Sequence, residues 1–334
     1  MWDATKCDLC GDCLVRCQYV DYDLEKAIAQ IKDLMEGKEA DILGACVTCC
    51  ACNEICPTGA NPFDLINGLQ EQYHSIPISE KMRKFMDAGG TMPTALIPGD
   101  GSKPALSLCV MEPPLPEGAI GGGMFDGMTV AKGGEYFCYL GYVHIGMESP
   151  LKSHARSFVD ALSRLESEEI VFLHADCHAM LTKMPEYGVE VPFKATHIVE
   201  YMRDYLKAHP GDITPLNRKI AYQRPCASRY SPDVEPALDE LFDLMGVERV
   251  ERQYDRESAL CCGGMFSRID PDRINPIVEA NIEDAVTSGG EGMVFLCPLC
   301  LHALAGPVAA QGLKPLFITQ LARMALGELP FPEA

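Results

Sequence analysis

Apolar side chains recur at Leu24, Ile28, Ile31 and Met35 with the spacing of one helical face, and Gly37 stands where such a helix could close. Beyond residue 133 the pattern changes. Short apolar runs at 170–173, 220–222 and 293–296 have the length and composition of buried strands, while 157–165, 198–206 and 274–286 carry helical periodicity. Strands alternating with helices predict an α/β architecture for this part of the chain.

Three regions follow from this pattern. Residues 1–92 combine short helical stretches with nine cysteines. Residues 93–132, which include Pro113-Pro114-Leu115-Pro116 and Gly121-Gly122-Gly123, read as a linker. The glycine run is no phosphate loop, since neither a Lys-Ser/Thr pair nor a clear preceding strand accompanies it. Residues 133–334 look duplicated. Val171-Phe172-Leu173 followed by Cys177 matches Val294-Phe295-Leu296 followed by Cys300 at an offset of 123, and Phe193-Lys194 through Ile198 resembles Leu313-Lys314 through Ile318 at an offset of 120. The halves expected are 133–210 and 215–334. The whole is therefore α+β, a small mostly helical domain followed by a duplicated α/β domain.

Charge narrows the function. A formal net charge of −20 over 334 residues argues against binding nucleic acid or an anionic membrane surface through a basic patch. Seventeen cysteines raise the choice between disulfides and metal ligation. The start, Met1-Trp2-Asp3-Ala4-Thr5-Lys6, lacks a basic segment leading into an apolar stretch, so metal ligation in a cytoplasmic protein is the expectation. No apolar run is long enough to span a bilayer; 292–313 is interrupted by Pro298, His302, Pro307 and Gln311. Any membrane link is expected to come through a partner subunit.

Cys7, Cys10, Cys13 and Cys17 follow C-x2-C-x2-C-x3-C, and Cys46, Cys49, Cys52 and Cys56 repeat it, with Pro57 next. A 4Fe–4S cubane needs one thiolate on each iron. Three closely spaced cysteines can wrap one cluster while the fourth reaches its neighbour. The expected sets are Cys7, Cys10, Cys13 and Cys56 for one cubane, and Cys46, Cys49, Cys52 and Cys17 for the other. Structural zinc usually takes two well-separated cysteine pairs, which this spacing does not offer. Cys50 falls outside the spacing and reads as a small packed side chain.

The second constellation is Cys226, then Cys261-Cys262-Gly263-Gly264, then Cys297-Pro298-Leu299-Cys300. Adjacent cysteines wrap a cubane poorly but could bridge irons of a less symmetric cluster, and the glycines would let backbone approach it closely. A four-thiolate zinc site and buried free thiols are the plain alternatives. Two ferredoxin motifs followed by Cys…Cys-Cys-Gly…Cys-x2-Cys resemble the catalytic iron–sulfur subunits of heterodisulfide reductases. The pattern is also similar to subunits of sulfite-reduction membrane complexes and, more distantly, to iron–sulfur subunits of glycerol-3-phosphate, lactate and glycolate dehydrogenases. The resemblance implies one noncubane 4Fe–4S cluster held by Cys226, Cys261, Cys262, Cys297 and Cys300.

The first half departs from this pattern. It has His174-Ala175-Asp176-Cys177 in place of C-x2-C and no Cys-Cys-Gly, so a second such cluster is not expected. Cys138, Cys177, His174 and His178 are left as a lesser metal site or as packing residues. His144 and His197 read as ordinary histidines, and Cys109 carries no visible message.

The resemblance implies an oxidoreductase acting on sulfur groups, cleaving or forming a disulfide-type bond as part of a multi-subunit complex. A cluster of that kind would supply a Lewis acid as well as a redox centre. His302 or His178 would supply a proton. The competing reading is a pure electron-transfer subunit between a flavoprotein and a quinone or another carrier. No flavin or nicotinamide fingerprint occurs, so other redox subunits are expected as partners, with a small-molecule or protein disulfide as substrate.

Overall fold

A computed structural model of the chain describes residues 1–332. Six helices build the N-terminal part: α1 (Asp12–Val15), α2 (Leu24–Met35), α3 (Asp41–Ala45), α4 (Ala51–Ile55), α5 (Pro62–Tyr73) and α6 (Glu80–Gly90). Local chemistry sets their ends. The Asp23 carboxylate accepts the Lys26 N–H at 2.8 Å to start α2, and the Ser79 hydroxyl accepts from Met82 to start α6. Proline, which has no N–H to lose, stands at the first position of α5.

The buried face of α2 is Ala27, Gln30, Ile31 and Leu34, whereas Leu24 and Met35 are exposed. Periodicity alone puts Leu24 and Met35 inside. Gln30 accounts for the turn of the helix, because its Oε1 accepts the buried Ile42 N–H at 2.9 Å. A polar side chain that is satisfied inside is invisible to an apolar count.

The segment 93–132 is not a linker. It supplies three strands, β1 (Ala95–Ile97), β2 (Ala105–Cys109) and β3 (Val130–Lys132), to a five-stranded sheet. Its prolines and glycines occupy the connections, while Ala105, Leu106, Leu108 and Ala131 are buried. After α7 (Ser149–Ser163), the sheet is completed by β4 (Glu169–Phe172), α8 (Ala175–Thr182), β5 (Lys194–His197) and α9 (Ile198–Ala208). Strand order is β1-β3-β2-β4-β5, parallel except where β1 meets β3.

A second sheet contains β6 (Arg218–Gln223), β7 (Val247–Arg249), β8 (Gly292–Phe295) and β9 (Lys314–Phe317), all parallel, in the order β7-β6-β8-β9. Helices α10 (Val234–Leu244), α11 (Pro271–Thr287), α12 (Pro298–Ala310) and α13 (Ile318–Ala325) accompany it. Its order repeats β3-β2-β4-β5 of the first sheet. The repeat unit thus begins near β2, upstream of residue 133. The molecule is α+β, with both sheets' core strands buried along nearly their whole length, as parallel sheets require.

Buried ion pairs lock the parts together. Glu54 on α4 receives both Arg224 guanidinium nitrogens at 2.9 Å and Arg229 at 2.8 Å. Asp64 on α5 lies 3.3 Å from the Lys183 ammonium and accepts the Tyr230 hydroxyl at 3.1 Å.

Candidate metal centres

The two ferredoxin loops have one backbone design. Leu9 and Thr48, each just before the second cysteine of its motif, are left-handed (φ 61° and 55°), as are Gly11 and Cys50, each just after it (φ 80° and 62°). Such turns coil the chain around a point and aim successive cysteines inward. Cys7, Cys10, Cys13 and Cys56 line one recess; Cys17, Cys46, Cys49 and Cys52 line the next, and Cys13 borders both. Backbone N–H groups point at the sulfurs: Thr48 donates to Cys46 Sγ at 3.3 Å and Ala60 to Cys56 Sγ at 3.4 Å. Burial pushes the Cys13 thiol up to about 12 and the Cys17 thiol up to about 11. Bare thiolates are therefore costly here, and a bound cation removes that cost. Cys50 is buried and its thiol reaches the Thr48 carbonyl at 3.6 Å, beside the sulfur set rather than in it.

The five cysteines of the second constellation meet at the carboxyl edge of the second sheet. Cys226 follows β6 in a short 3-10 turn, Cys297 caps α12 directly after β8, and Cys300 lies in the first turn of α12. The helix N-terminus favours negative sulfur there. All five border one cavity of about 370 Å³. Gly263 is left-handed (φ +75°), and a Cβ there would stand 2.8 Å from Val278 Cγ2; a Cβ on Gly264 would lie 3.5 Å from Cys262 Sγ. Only glycine keeps this cradle open. Hydrogen bonds and repulsion among the thiols split their acidities, pushing Cys226, Cys261 and Cys300 well above the usual thiol range. Cys262 is lowered to about 6, first by a hydrogen bond from Cys261, and Cys297 to about 5, first by one from Cys300 and then by His174. Sulfur-rich, buried and glycine-walled, the donor set fits an iron–sulfur group.

Further residues join this cavity that the sequence did not mark. Asp176 and His144 border it, with the His144 Nε2 3.8 Å from the Asp176 carboxylate. His144 Nδ1 lies 3.2 Å from the Thr48 carbonyl, so the pair also touches the ferredoxin loop. His302 borders the cavity as well; His178 does not, being paired with Ser231 at 3.0 Å and set edge-on to His197. A second chamber of about 510 Å³, walled by Met86, Met92, Met111 and Phe137, shares Phe85, His144, Asp176, Arg268 and His302 with the first.

The sulfur sites are neighbours. Cys49 and Cys261 belong to one small buried cluster with Val47, Phe266 and Ile274, and the Cys261 N–H donates to the Tyr19 hydroxyl at 2.8 Å.

A family model for the cysteine-rich CCG domain matches residues 220–305, the segment that carries the five-cysteine cavity. More particularly, the chain is similar to subunits of heterodisulfide reductase. It is 28% identical over 170 residues to a dihydromethanophenazine:CoB–CoM heterodisulfide reductase subunit from Methanosarcina barkeri, covering 49% of this chain and 41% of that one. The corresponding Methanosarcina mazei protein is 27% identical over 171 residues, with the same coverage. A probable membrane-anchored ferredoxin of Chromohalobacter salexigens is 26% identical over 195 residues, 55% of this chain and 29% of that one. The chain thus matches less than half the length of these relatives. A hypothetical protein from Helicobacter pylori shares the fold, with a TM-score of 0.58 at 12% identity over 83% of this chain and 60% of that one. Among the described residues no helix is long and apolar enough to cross a membrane. The similarity supports an iron–sulfur redox protein.

Proposed function

We propose that the chain is a redox subunit that passes electrons through two ferredoxin-type clusters to a noncubane cluster, where a disulfide-type S–S bond is cleaved or formed. In the reductive direction, one disulfide, two electrons and two protons give two thiols. Cys7, Cys10, Cys13 and Cys56 would hold the first cubane, and Cys46, Cys49, Cys52 and Cys17 the second. Cys226, Cys261, Cys262, Cys297 and Cys300 would hold the noncubane cluster, which when bound supplies redox capacity and Lewis acidity at the cavity.

The observation that carries this reading is adjacency. Cys13 borders both ferredoxin recesses, and Cys49 shares a buried cluster with Cys261. The chain's own residues do the rest. His302 stands at the junction of the two chambers and can deliver a proton, while the His144–Asp176 pair can hold one close to the cavity wall. Met86, Met92, Met111 and Phe137 give the outer chamber an apolar wall that suits an apolar substrate arm.

Electrons must come from other redox subunits, so a complex is part of the proposal; a link to a membrane would run through such a partner. In a pure relay between a flavoprotein and a quinone, the apolar outer chamber would take the quinone in place of a disulfide. Anaerobically purified protein, reduced viologen and a panel of disulfides test the reading. Turnover that disappears in Cys262→Ala, with both ferredoxin EPR signals retained, is the expected result. Viologen oxidation that no disulfide stimulates would instead leave only the relay.

A further inference from the structure

The two ferredoxin-type loops differ in the charges set against them. In the first, Cys7, Cys10 and Cys56 are half-buried, and the exposed Asp8 carboxylate accepts the Cys10 N–H at 3.1 Å. In the second, Cys46 and Cys49 are buried, and the nearby charge is positive. Arg273, in the first turn of α11, reaches across from the second sheet. Its Nη1 donates to the Gly44 carbonyl at 2.8 Å, two residues before Cys46. We infer that the Arg273 guanidinium sets the reduction potential of the cluster proposed for Cys17, Cys46, Cys49 and Cys52, holding it above that of the first. The inference rests on the cubane assignment made under the proposed function.

The guanidinium is tied on one side and open on the other. Nη1 is satisfied by Gly44, whereas Nη2 is buried without a hydrogen-bond partner. Among the described residues no carboxylate pairs with this side chain. A buried cationic donor left unpaired is costly, and an anionic sulfur-rich group in the neighbouring recess would remove that cost. Burial pushes the Cys17 and Cys46 thiols up, and the Arg273 charge pulls both back. The Phe266 ring centroid lies 5.9 Å from the guanidinium carbon, and Ile274 is the next residue. Both belong to the small buried cluster that contains Cys49 and Cys261. Arg273 thus sits at the seam between the second ferredoxin loop and the Cys261 loop.

Other cations near this loop are already answered. Arg229 is bonded to Glu54 on α4 at 2.8 Å, and Arg16, which lines the recess, is paired with Glu257 at 2.8 Å. Only Arg273 among these three brings a charge with no carboxylate against it.

The sign follows from charge. One-electron reduction makes a cluster more negative, so a fixed cation favours the reduced form and a fixed anion opposes it. Burial acts against reduction, because a low-dielectric surrounding penalises added charge. It also leaves a neighbouring charge poorly screened, which strengthens the pull of Arg273. Asp8 works in the other direction at the first loop. An electron leaving the Cys7 cluster, which is oxidised, therefore runs downhill to the Cys46 cluster, which is reduced, and no proton moves. It comes to rest beside the five-thiol cavity, where a second electron is needed.

EPR-monitored redox titration of the full chain, prepared without oxygen, tests the assignment. Two resolved ferredoxin potentials are expected in the parent. Arg273→Gln keeps a donor for the Gly44 carbonyl and removes the charge. At the parent's higher midpoint its ratio of reduced to oxidised cluster should fall about tenfold, which is about 59 mV for a one-electron couple. The lower potential should stay in place. Arg273→Lys keeps the charge and should hold most of the parent's higher potential, whereas a merely structural tie would not separate the two variants. An unmoved higher potential in Arg273→Gln, or movement of the lower one alone, would overturn the inference and leave the cluster reading standing. Coincident ferredoxin potentials in the parent would overturn it even if the variants failed to load. Absence of a second ferredoxin signal from the parent would overturn the cluster reading and the inference together.

Discussion

The Tyr19 hydroxyl, two residues beyond the last cysteine of the first ferredoxin motif, accepts the backbone N–H of Cys261 at 2.8 Å. This bond joins the loop around one sulfur site to the loop around another. Tyr19→Phe removes the acceptor and leaves a part-buried N–H unsatisfied, at a cost of about 1–3 kcal/mol. The thermal midpoint should fall. The EPR signals of the proposed five-thiol cluster and of the ferredoxin-type cluster beside it should both shift, since Tyr19 also hydrogen-bonds Cys49, while the cluster proposed for Cys7, Cys10, Cys13 and Cys56 keeps its signal. Identical spectra in Tyr19→Phe and the parent would show that the bond has no influence on either centre.

Glu54 neutralises two guanidinium groups whose side chains are each only 2% exposed. Removing one partner of a buried pair leaves an uncompensated charge and typically costs about 3–5 kcal/mol. Glu54→Gln should therefore lower the denaturation midpoint strongly. Arg229→Met combined with Glu54→Gln should recover part of the loss, since the double change removes one of the two guanidinium groups that Glu54→Gln strands. Additive losses in the double variant would contradict this account.

Gly263→Ala forces a side chain into a left-handed position with a 2.8 Å contact to Val278. The expected outcome is loss of about four of about twelve irons, with the ferredoxin complement retained. Iron analysis combined with EPR checks it. Full iron content in Gly263→Ala would mean that the cradle is less tight than its geometry implies.

His197 caps α9, its Nδ1 accepting the Val199 N–H at 3.2 Å. Burial first, and then the neighbouring His178, hold its imidazole well below the usual histidine range; the nearby Glu200 carboxylate, bonded to the His197 N–H, does not overcome this. The unfolded chain binds the proton more tightly, so stability is full above about pH 6.5 and declines as pH falls toward the folded value. His197→Asn keeps a capping acceptor and removes the titration. Between pH 6.5 and 5 its stability should change less than that of the parent, as chemical denaturation at each pH will show.

Much of the architecture was legible in the chain. The strands around 170–173, 220–222 and 293–296 and the helices expected at 157–165, 198–206 and 274–286 match β4, β6, β8, α7, α9 and α11, with α7 and α11 beginning earlier at Ser149 and Pro271, whereas α8, α10 and α12, which follow those strands, were not read. β1, β2 and β3 were not, because three short strands separated by proline and glycine lack the length that makes a pattern visible. The motif spacing brings the thirteen cysteines it singles out to three recesses, with Cys50, outside the spacing, also bordering the second. It missed Cys109, whose partners Cys138 and Cys177 lie far along the chain and come together only through the sheet. Offset 123 already aligns His174 with Cys297 in the sequence, since His174-Ala175-Asp176-Cys177 stands where the second half has C-x2-C. Asp176 and His144 gave no signal, as their place at the cavity depends on how the two sheet edges face each other.

Arg224 and Arg229 follow Glu54 by 170 and 175 residues. During synthesis at roughly 5–20 residues per second, that distance is a delay on the order of ten to thirty seconds. Throughout it, helix α4 stands without its counter-charges and the ferredoxin motifs are not yet covered by the second sheet. The interval gives metal delivery an opening that closes when the later strands emerge.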